Sequence, residues 1–325
     1  MKKVITWMLA AALVFSLVAC GGSGKTAETS SPNQENILAG KVVGFAQTDS
    51  MSSWRTTETD SIKEFVENAG GQFIVKDAGG DIATQESDIR DLVAAGVDFL
   101  VMAPLEDNGL QGALAEAMEQ GIPVVLVDRA IAGEAGTHYT TAIMSDFVWE
   151  GEACAKALME ALPDGGKIVI INGGYDSSTS TDRQDGFVNA LDAAKYTIIA
   201  EQDGEWLMDK AQSVMENILQ AQGGENIDAV FCVTDDMVQG SMNAIEAAGL
   251  KPGEDILTVG IDGTRAAFEA IADGRQLASC TCSPYFGEIV VDTIAKIIKG
   301  EAVPEHITNS DTLYTKDNVE VELGF

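Results

Sequence analysis

Basic residues are scarce in this chain: its 325 residues include 20 Lys and Arg against 51 Asp and Glu. Removing an N-terminal leader that holds Lys2 and Lys3 lowers the basic count from 20 to 18 and moves the net charge from −31 to −33. Such a surface repels phosphate backbones and anionic membrane faces, which excludes nucleic acid as a partner. Histidine is rarer still, with only His138 and His306. The pattern puts His138 at the start of a strand and His306 in a Pro-flanked loop, poor places for acid–base work. No G-x-S-x-G elbow occurs, and no G-x-G-x-x-G follows a strand and opens a helix. Of five cysteines, Cys154, Cys232, Cys280 and Cys282 lie beyond the leader and lack metal-ligand spacing. They read as small buried apolar residues, with Cys280 and Cys282 on one face of a strand. No enzyme, cofactor or metal is expected.

The start reads as a secretion signal. Lys2-Lys3 is its charged region, Val4 to Val18 its apolar core and Leu17-Val18-Ala19-Cys20 its cleavage site. The apolar run is shorter than the roughly 20 residues a membrane span needs. The tetrapeptide resembles a bacterial lipobox, which makes Cys20 the expected lipidation site after removal of residues 1–19. Residues 20–39 are small and polar, a flexible tether. Gly24-Lys25-Thr26 imitates a phosphate-binding loop but has Ala19 where the motif needs glycine, and no strand before it.

From Lys41 onward, apolar runs alternate with amphipathic stretches. Strands are predicted at Val42 to Ala46, Gln72 to Lys76, Asp98 to Ala103, Ile122 to Val127 and Tyr139 to Ile143. Helices over Thr57 to Asn68, Ile82 to Ala95 and Gly109 to Gln120 fall between them, with Gly70, Gly96 and Gly121 as stops. The pattern then restarts. Asp146 caps a helix to Leu162, and strands at Lys167 to Asn172, Thr197 to Glu201, Ile227 to Val233, Ile256 to Ile261 and Leu277 to Cys282 alternate with further helices. The tail from Asp311 has the alternation of one more strand. The length suits two halves, each an α/β module with a doubly wound parallel sheet.

Ligands of open α/β sheets bind beyond the carboxyl ends of the strands. The central run Ile122 to Val127 ends abruptly in Asp128-Arg129. The first strand leads to Trp54-Arg55 ahead of the helix, where Trp54 suits either a packing staple or a ligand platform. Arg183, Trp206, Thr234-Asp235-Asp236 and Asp262 follow other strands, and Asp235 or Asp236 would also serve as a helix cap. Asp128, Asp262 and Asp235 balance Arg55, Arg129 and Arg183, which favours a neutral polyol over phosphate or sulfate.

These residues carry a family resemblance. VGFAQTDSMSSWRTTET (Val43 to Thr59), GVDFLVMAP (Gly96 to Pro104), IPVVLVDR (Ile122 to Arg129), TDRQDGF (Thr181 to Phe187), the run from Thr234 to Leu257 and VGIDGT (Val259 to Thr264) bear it. From Lys41 to about Thr315 the chain resembles the type I periplasmic sugar-binding proteins of ABC importers, in the ribose-binding-like group and nearest its galactofuranose binders. The resemblance implies two lobes joined by a three-crossing hinge, residues 40–145 plus 283–309 and residues 146–282 plus 310–325. It implies sugar contacts at Trp54, Arg55, Asp128, Arg129, Arg183, Trp206, Thr234 and Asp262. Trp206 falls where ribose binders carry a stacking phenylalanine, Thr234 where relatives carry asparagine, and Met51 where galactofuranose binders carry glutamate. Thr181 falls where ribose binders carry a ligand arginine, which argues against ribose. The expected protein is a lipid-anchored, monomeric solute receptor on the extracytoplasmic face of a bacterial membrane, at the cell surface or in the periplasm. It would bind a monosaccharide, such as a furanose, and deliver it to ABC permease subunits, touching the membrane only through its lipid. The alternative is a sensory lipoprotein presenting sugar to a chemoreceptor or histidine kinase.

Overall fold

The computed structural model describes residues 36–175 and 177–325; the leader, Cys20 and the tether up to residue 35 lie outside the described residues. Two six-stranded sheets organise the chain. The first holds β1 (Val42–Gln47), β2 (Gln72–Asp77), β3 (Phe99–Met102), β4 (Val124–Val127) and β5 (Thr141–Ser145), with β11 (His306–Asn309) beside β5. The second holds β6 (Gly166–Asn172), β7 (Tyr196–Asp203), β8 (Ala229–Cys232), β9 (Leu257–Asp262) and β10 (Ala278–Thr281), with β12 (Leu313–Thr315) beside β10. Within each sheet the first five strands lie in the order second, first, third, fourth, fifth. All pairings are parallel except β10 with β12. The α/β architecture of two doubly wound sheets is the one the alternating pattern predicts.

The central strands β3 (FLVM), β4 (VVLV) and β8 (AVFC) are buried at every residue, as strands covered by helices on both faces must be. Helices α1 (Ser53–Asn68), α2 (Ile82–Ala94) and α3 (Gln111–Glu119) cover the first sheet. Helices α4 (Phe147–Ala161), α5 (Ser178–Ala190), α6 (Met208–Gln222), α7 (Asp235–Ala247) and α8 (Arg265–Asp273) cover the second, and α9 (Gly287–Ile298) returns to the first, against α1. Asp146 caps α4 by accepting from Trp149 N at 3.0 Å, as expected.

The chain passes between the sheets three times, after β5, after β10 and between β11 and β12. Side chains tie the crossings together. Trp54 Nε1 donates to Cys282 O at 2.8 Å, Asn309 Nδ2 to Ser283 O at 3.4 Å and Thr281 Oγ1 to Asp311 Oδ1 at 3.1 Å.

Three local expectations need correction. Helix α1 begins at Ser53 rather than Thr57, because Ser52 Oγ caps it by accepting from Arg55 N at 3.2 Å; Trp54 and Arg55 therefore stand on its first turn. His306 is not in a loop but opens β11. His138 precedes β5, and its Nδ1 accepts from Glu134 N at 3.0 Å. Cys154, Cys232, Cys280 and Cys282 are buried free thiols. Among the described residues no helix is long and apolar enough to cross a membrane.

Candidate ligand-binding cleft

The carboxyl ends of the two sheets share a cavity of about 390 Å³. Trp54, Arg55, Asp128, Arg129, Arg183, Trp206, Thr234 and Asp262 all line it. Thr181 does not: it is exposed on α5, its Oγ1 donating back to Ser177 O at 3.2 Å.

In the first half, Arg55 holds two carboxylates. Its Nη1 lies 2.9 Å from Glu58 Oε2 and its Nη2 2.6 Å from Asp128 Oδ2, all three side chains being buried. Gln47 Nε2 donates to the same Glu58 oxygen at 3.0 Å. Burial pushes the Glu58 carboxyl up to about 7 against the pull of Arg55. Burial also works against the Arg55 cation, but Asp128 and Glu58 outweigh it and keep the guanidinium charged.

The second half repeats the design with a different carboxylate behind it. Arg183 Nε sits 2.7 Å from Glu150 Oε2, its Nη1 donates to Val233 O at 2.8 Å, and its Nη2 is 3.6 Å from Asp262 Oδ1. This geometry depends on α4 and α5 packing backbone to backbone. A Cβ at Gly151 would stand 2.0 Å from Arg183 O, and one at Gly186 would stand 2.0 Å from Val148 O. Two glycines thus bring Arg183 onto Glu150. Burial lifts Glu150 to about 8 and holds Asp262 well above the usual carboxylate range, with Arg183 opposing in both.

Asp235 was a candidate ligand or cap and is neither. Thr234 caps α7, its Oγ1 accepting from Met237 N at 3.4 Å. Asp235 is fully buried behind the cavity wall, where Oδ2 accepts from Gly263 N, Thr264 N and Ser279 Oγ at 2.9, 3.0 and 2.7 Å and Oδ1 from Gln276 Nε2 at 3.0 Å. It fixes the turn that carries Asp262. Its neighbour Asp236 lines the cavity instead.

The two halves also touch across the cleft. The Arg129 guanidinium carbon lies 5.0 Å from the Trp206 ring centroid, and Ser178 N donates to Asp107 Oδ1 at 3.3 Å. Trp206 is held against Gly173, where a Cβ would come within 2.4 Å of the indole. A ring expected to stack on ligand thus also carries a guanidinium from the opposite half. Arg129 Nη1 donates to Leu105 O at 3.1 Å, and burial together with nearby Arg55 lowers its pKa to about 10. Trp54 lines the cavity while its indole N–H is bonded to Cys282 O at the second crossing.

The balance of charge differs from expectation. Asp49, Glu106, Asp203, Glu205 and Asp236 join Asp128 and Asp262 on the wall, seven carboxylates against three arginines. The extra acids come from loops whose direction the sequence does not disclose. Glu58 and Glu150 were also missed, although the three-residue spacing of Arg55 and Glu58 on one helix face was a usable sign.

Residues 43–302 match the periplasmic binding protein domain family. The chain is a periplasmic binding protein. The galactofuranose-binding protein YtfQ of Escherichia coli (strain K12) is 35% identical to it over 293 residues, covering 88% of this chain and 92% of that protein. The periplasmic binding protein component of the arabinose ABC transporter from Shewanella sp. ANA-3, solved bound to α- and β-L-arabinofuranose, is 34% identical with a TM-score of 0.82, over 85% of this chain and 92% of that one. A Mycobacterium smegmatis protein solved in complex with β-D-fucofuranose is 34% identical with a TM-score of 0.83, over 87% and 94%. These structures share the overall fold of this periplasmic binding protein, two doubly wound sheets of α/β type.

Proposed function

We propose that this periplasmic binding protein is the lipid-anchored solute receptor of an ABC sugar importer, with a cleft for a neutral monosaccharide in furanose form. The observation that carries the reading is the matched pair of Arg–Asp couples, Arg55 with Asp128 and Arg183 with Asp262, one from each half on a common cavity. Aspartates accept from sugar hydroxyls and arginines donate to them, and each such charged bond contributes roughly 1.5–3 kcal/mol. Four or five of them offset an association cost of about 4–15 kcal/mol. A sugar touching both couples favours the arrangement in which the halves are together, a hinge closure between residues 40–145 plus 283–309 and residues 146–282 plus 310–325.

The ligands named for the relatives support a specific ring. L-Arabinofuranose, D-fucofuranose and D-galactofuranose share the configuration of their ring carbons and differ only in the exocyclic arm. The acid excess of the wall disfavours phosphorylated and carboxylated sugars. No group in the cleft is assigned a catalytic step; the sugar is held and released unaltered.

Calorimetry and thermal shift with L-arabinose, D-fucose, D-galactose, D-ribose and D-glucose test the reading, since bound ligand raises the melting temperature by mass action. The first three are expected to bind. Unchanged binding in both Asp128→Ala and Asp262→Ala would overturn the site assignment. The proposed lipid on Cys20 predicts that Cys20→Ala leaves the membrane fraction yet still binds sugar.

A further inference from the structure

Two hydroxyls at the start of α5 have no use inside the protein. Ser177 is 5% exposed and Thr179 is 3% exposed, both line the cavity, and neither Ser177 Oγ nor Thr179 Oγ1 has a hydrogen-bond partner. Ser177 is the N-cap of a 13-residue helix, a position where serine normally accepts from a backbone N–H of the first turn, but its side chain makes no such bond. The hydroxyls beside them are engaged: Ser180 Oγ accepts from Gly173 N at 3.1 Å and Thr181 Oγ1 donates to Ser177 O. Ser178 Oγ, also unpartnered, belongs to a separate cavity and is not part of this set. A buried hydroxyl left unpaired is destabilising, so two of them on one cavity wall mark a place where an outside group completes the bonding.

We propose that Ser177 and Thr179 are specificity residues that bind the hydroxylated exocyclic arm of the sugar, so that the cleft selects a furanose with a diol arm over one with a single arm hydroxyl. This rests on the furanose reading above and adds to it which part of the ligand is read. A furanose ring offers hydroxyls only at C1, C2 and C3. Arg55, Asp128, Arg129, Arg183 and Asp262 already supply more charged donors and acceptors than those hydroxyls can occupy. Two further neutral hydroxyls are left for groups off the ring, where each can both donate and accept. The diol arm of galactofuranose carries hydroxyls on C5 and C6; the fucose arm and the shorter arabinose arm each carry only the one on C5. A carboxylate on the arm fits worse, because the same wall carries seven acids.

The test is titration calorimetry of the full chain with L-arabinose, D-fucose, D-galactose and D-galacturonate, using wild type, Ser177→Ala, Thr179→Val and the double variant. These sugars are mostly pyranose in water, but the furanose fraction cancels when each variant is divided by wild type for the same sugar. The double variant should weaken D-galactose by about tenfold to a hundredfold, as loss of two hydrogen bonds implies. D-Fucose and L-arabinose, with one arm hydroxyl each, should both weaken less, by about twofold to tenfold, and the binding they retain also shows that the variant is folded. Equal losses on all three sugars, no loss on D-galactose, or a wild type that prefers D-galacturonate would each overturn the inference while the furanose reading stands. A wild type that binds none of the three neutral sugars removes that reading, and this inference with it. Should the double variant fail to fold, the near-isosteric Thr179→Val alone must still show the selective loss.

Discussion

Asp128 and Asp262 stand at the ends of the fourth strand of their respective sheets, and both hold a backbone conformation that usually belongs to glycine, with φ of 64° and 129°. Each is met by an arginine from the helix that follows the first strand of its own sheet, Arg55 on α1 and Arg183 on α5. The strain at such positions is of order 1–3 kcal/mol and persists only where the surroundings enforce it. Here the enforcing contacts are Asp128 N to Ile143 O at 3.0 Å and Cys282 N to Asp262 O at 3.1 Å.

The strain can be separated from the chemistry. Asp128→Gly and Asp128→Ala remove the same carboxylate, so both should weaken sugar binding by at least about tenfold, roughly the worth of one charge-assisted bond. The glycine variant should be the more stable by about 1 kcal/mol, because alanine resists positive φ. Urea melts and calorimetry on the two proteins decide this; equal stabilities would show that the backbone relaxes.

At the α4–α5 contact, Gly151→Ala and Gly186→Ala each push a methyl into backbone and should cost about 1–3 kcal/mol or more. They should also weaken binding, since Arg183 loses its seat on Glu150. Gly112 near the start of α3 has open space around it, and Gly112→Ala should be neutral or stabilising by up to about 1 kcal/mol. The three melting curves form one comparison.

Stability should fall as pH rises through neutrality. Glu150 is lifted from 4.5 to about 8, and burial is the cause. Between those two values the native state binds more protons than the unfolded state, so unfolding free energy declines across the window and levels off above it. Glu58 and Asp235, each lifted to about 7, add to the same slope. Melting temperature measured from pH 5 to 9 should therefore drop, and Glu150→Gln should flatten the part of the slope nearest pH 8.

Across the cleft, Trp206→Leu removes the partner of Arg129. A cation over an aromatic face contributes about 0.5–2 kcal/mol, so affinity should fall by about two- to thirtyfold, with Trp206→Phe losing less. Stopped-flow traces should place most of the change in the dissociation rate. An unaltered affinity in Trp206→Leu would mean that the stacking has no part in holding the halves together.

Much of this was legible beforehand, and the failures have causes. Strands such as β4 and β8 announce themselves because a segment buried on both faces has no polar residue to blur it. The strand-end charges stood out for the converse reason: Asp128-Arg129 breaks an apolar run with no local partner. The start of α1 was hidden because Ser52-Ser53-Trp54-Arg55-Thr56 has no apolar periodicity, its helicity coming from a cap and tertiary packing. β11 was hidden because HITN is an edge segment, half exposed, and is a strand only by pairing with β5. Asp235 and Asp236 are adjacent acids that no pattern distinguishes, yet one is a buried brace and the other faces the cavity. Glu150 reaches Arg183 across a helix–helix contact that depends on two glycines far apart in sequence.

The late return of β11 and β12 has a consequence for how the molecule comes into being. The first sheet gains its edge strand only at residues 306–309 and the second at residues 313–315. A chain supplied from its first residue therefore leaves β5 and β10 at the edge of their sheets, without their outer partners, until nearly all of it is available. Neither half reaches its final set of strands without this last segment, so the two sheets are completed together and from the same short stretch of chain.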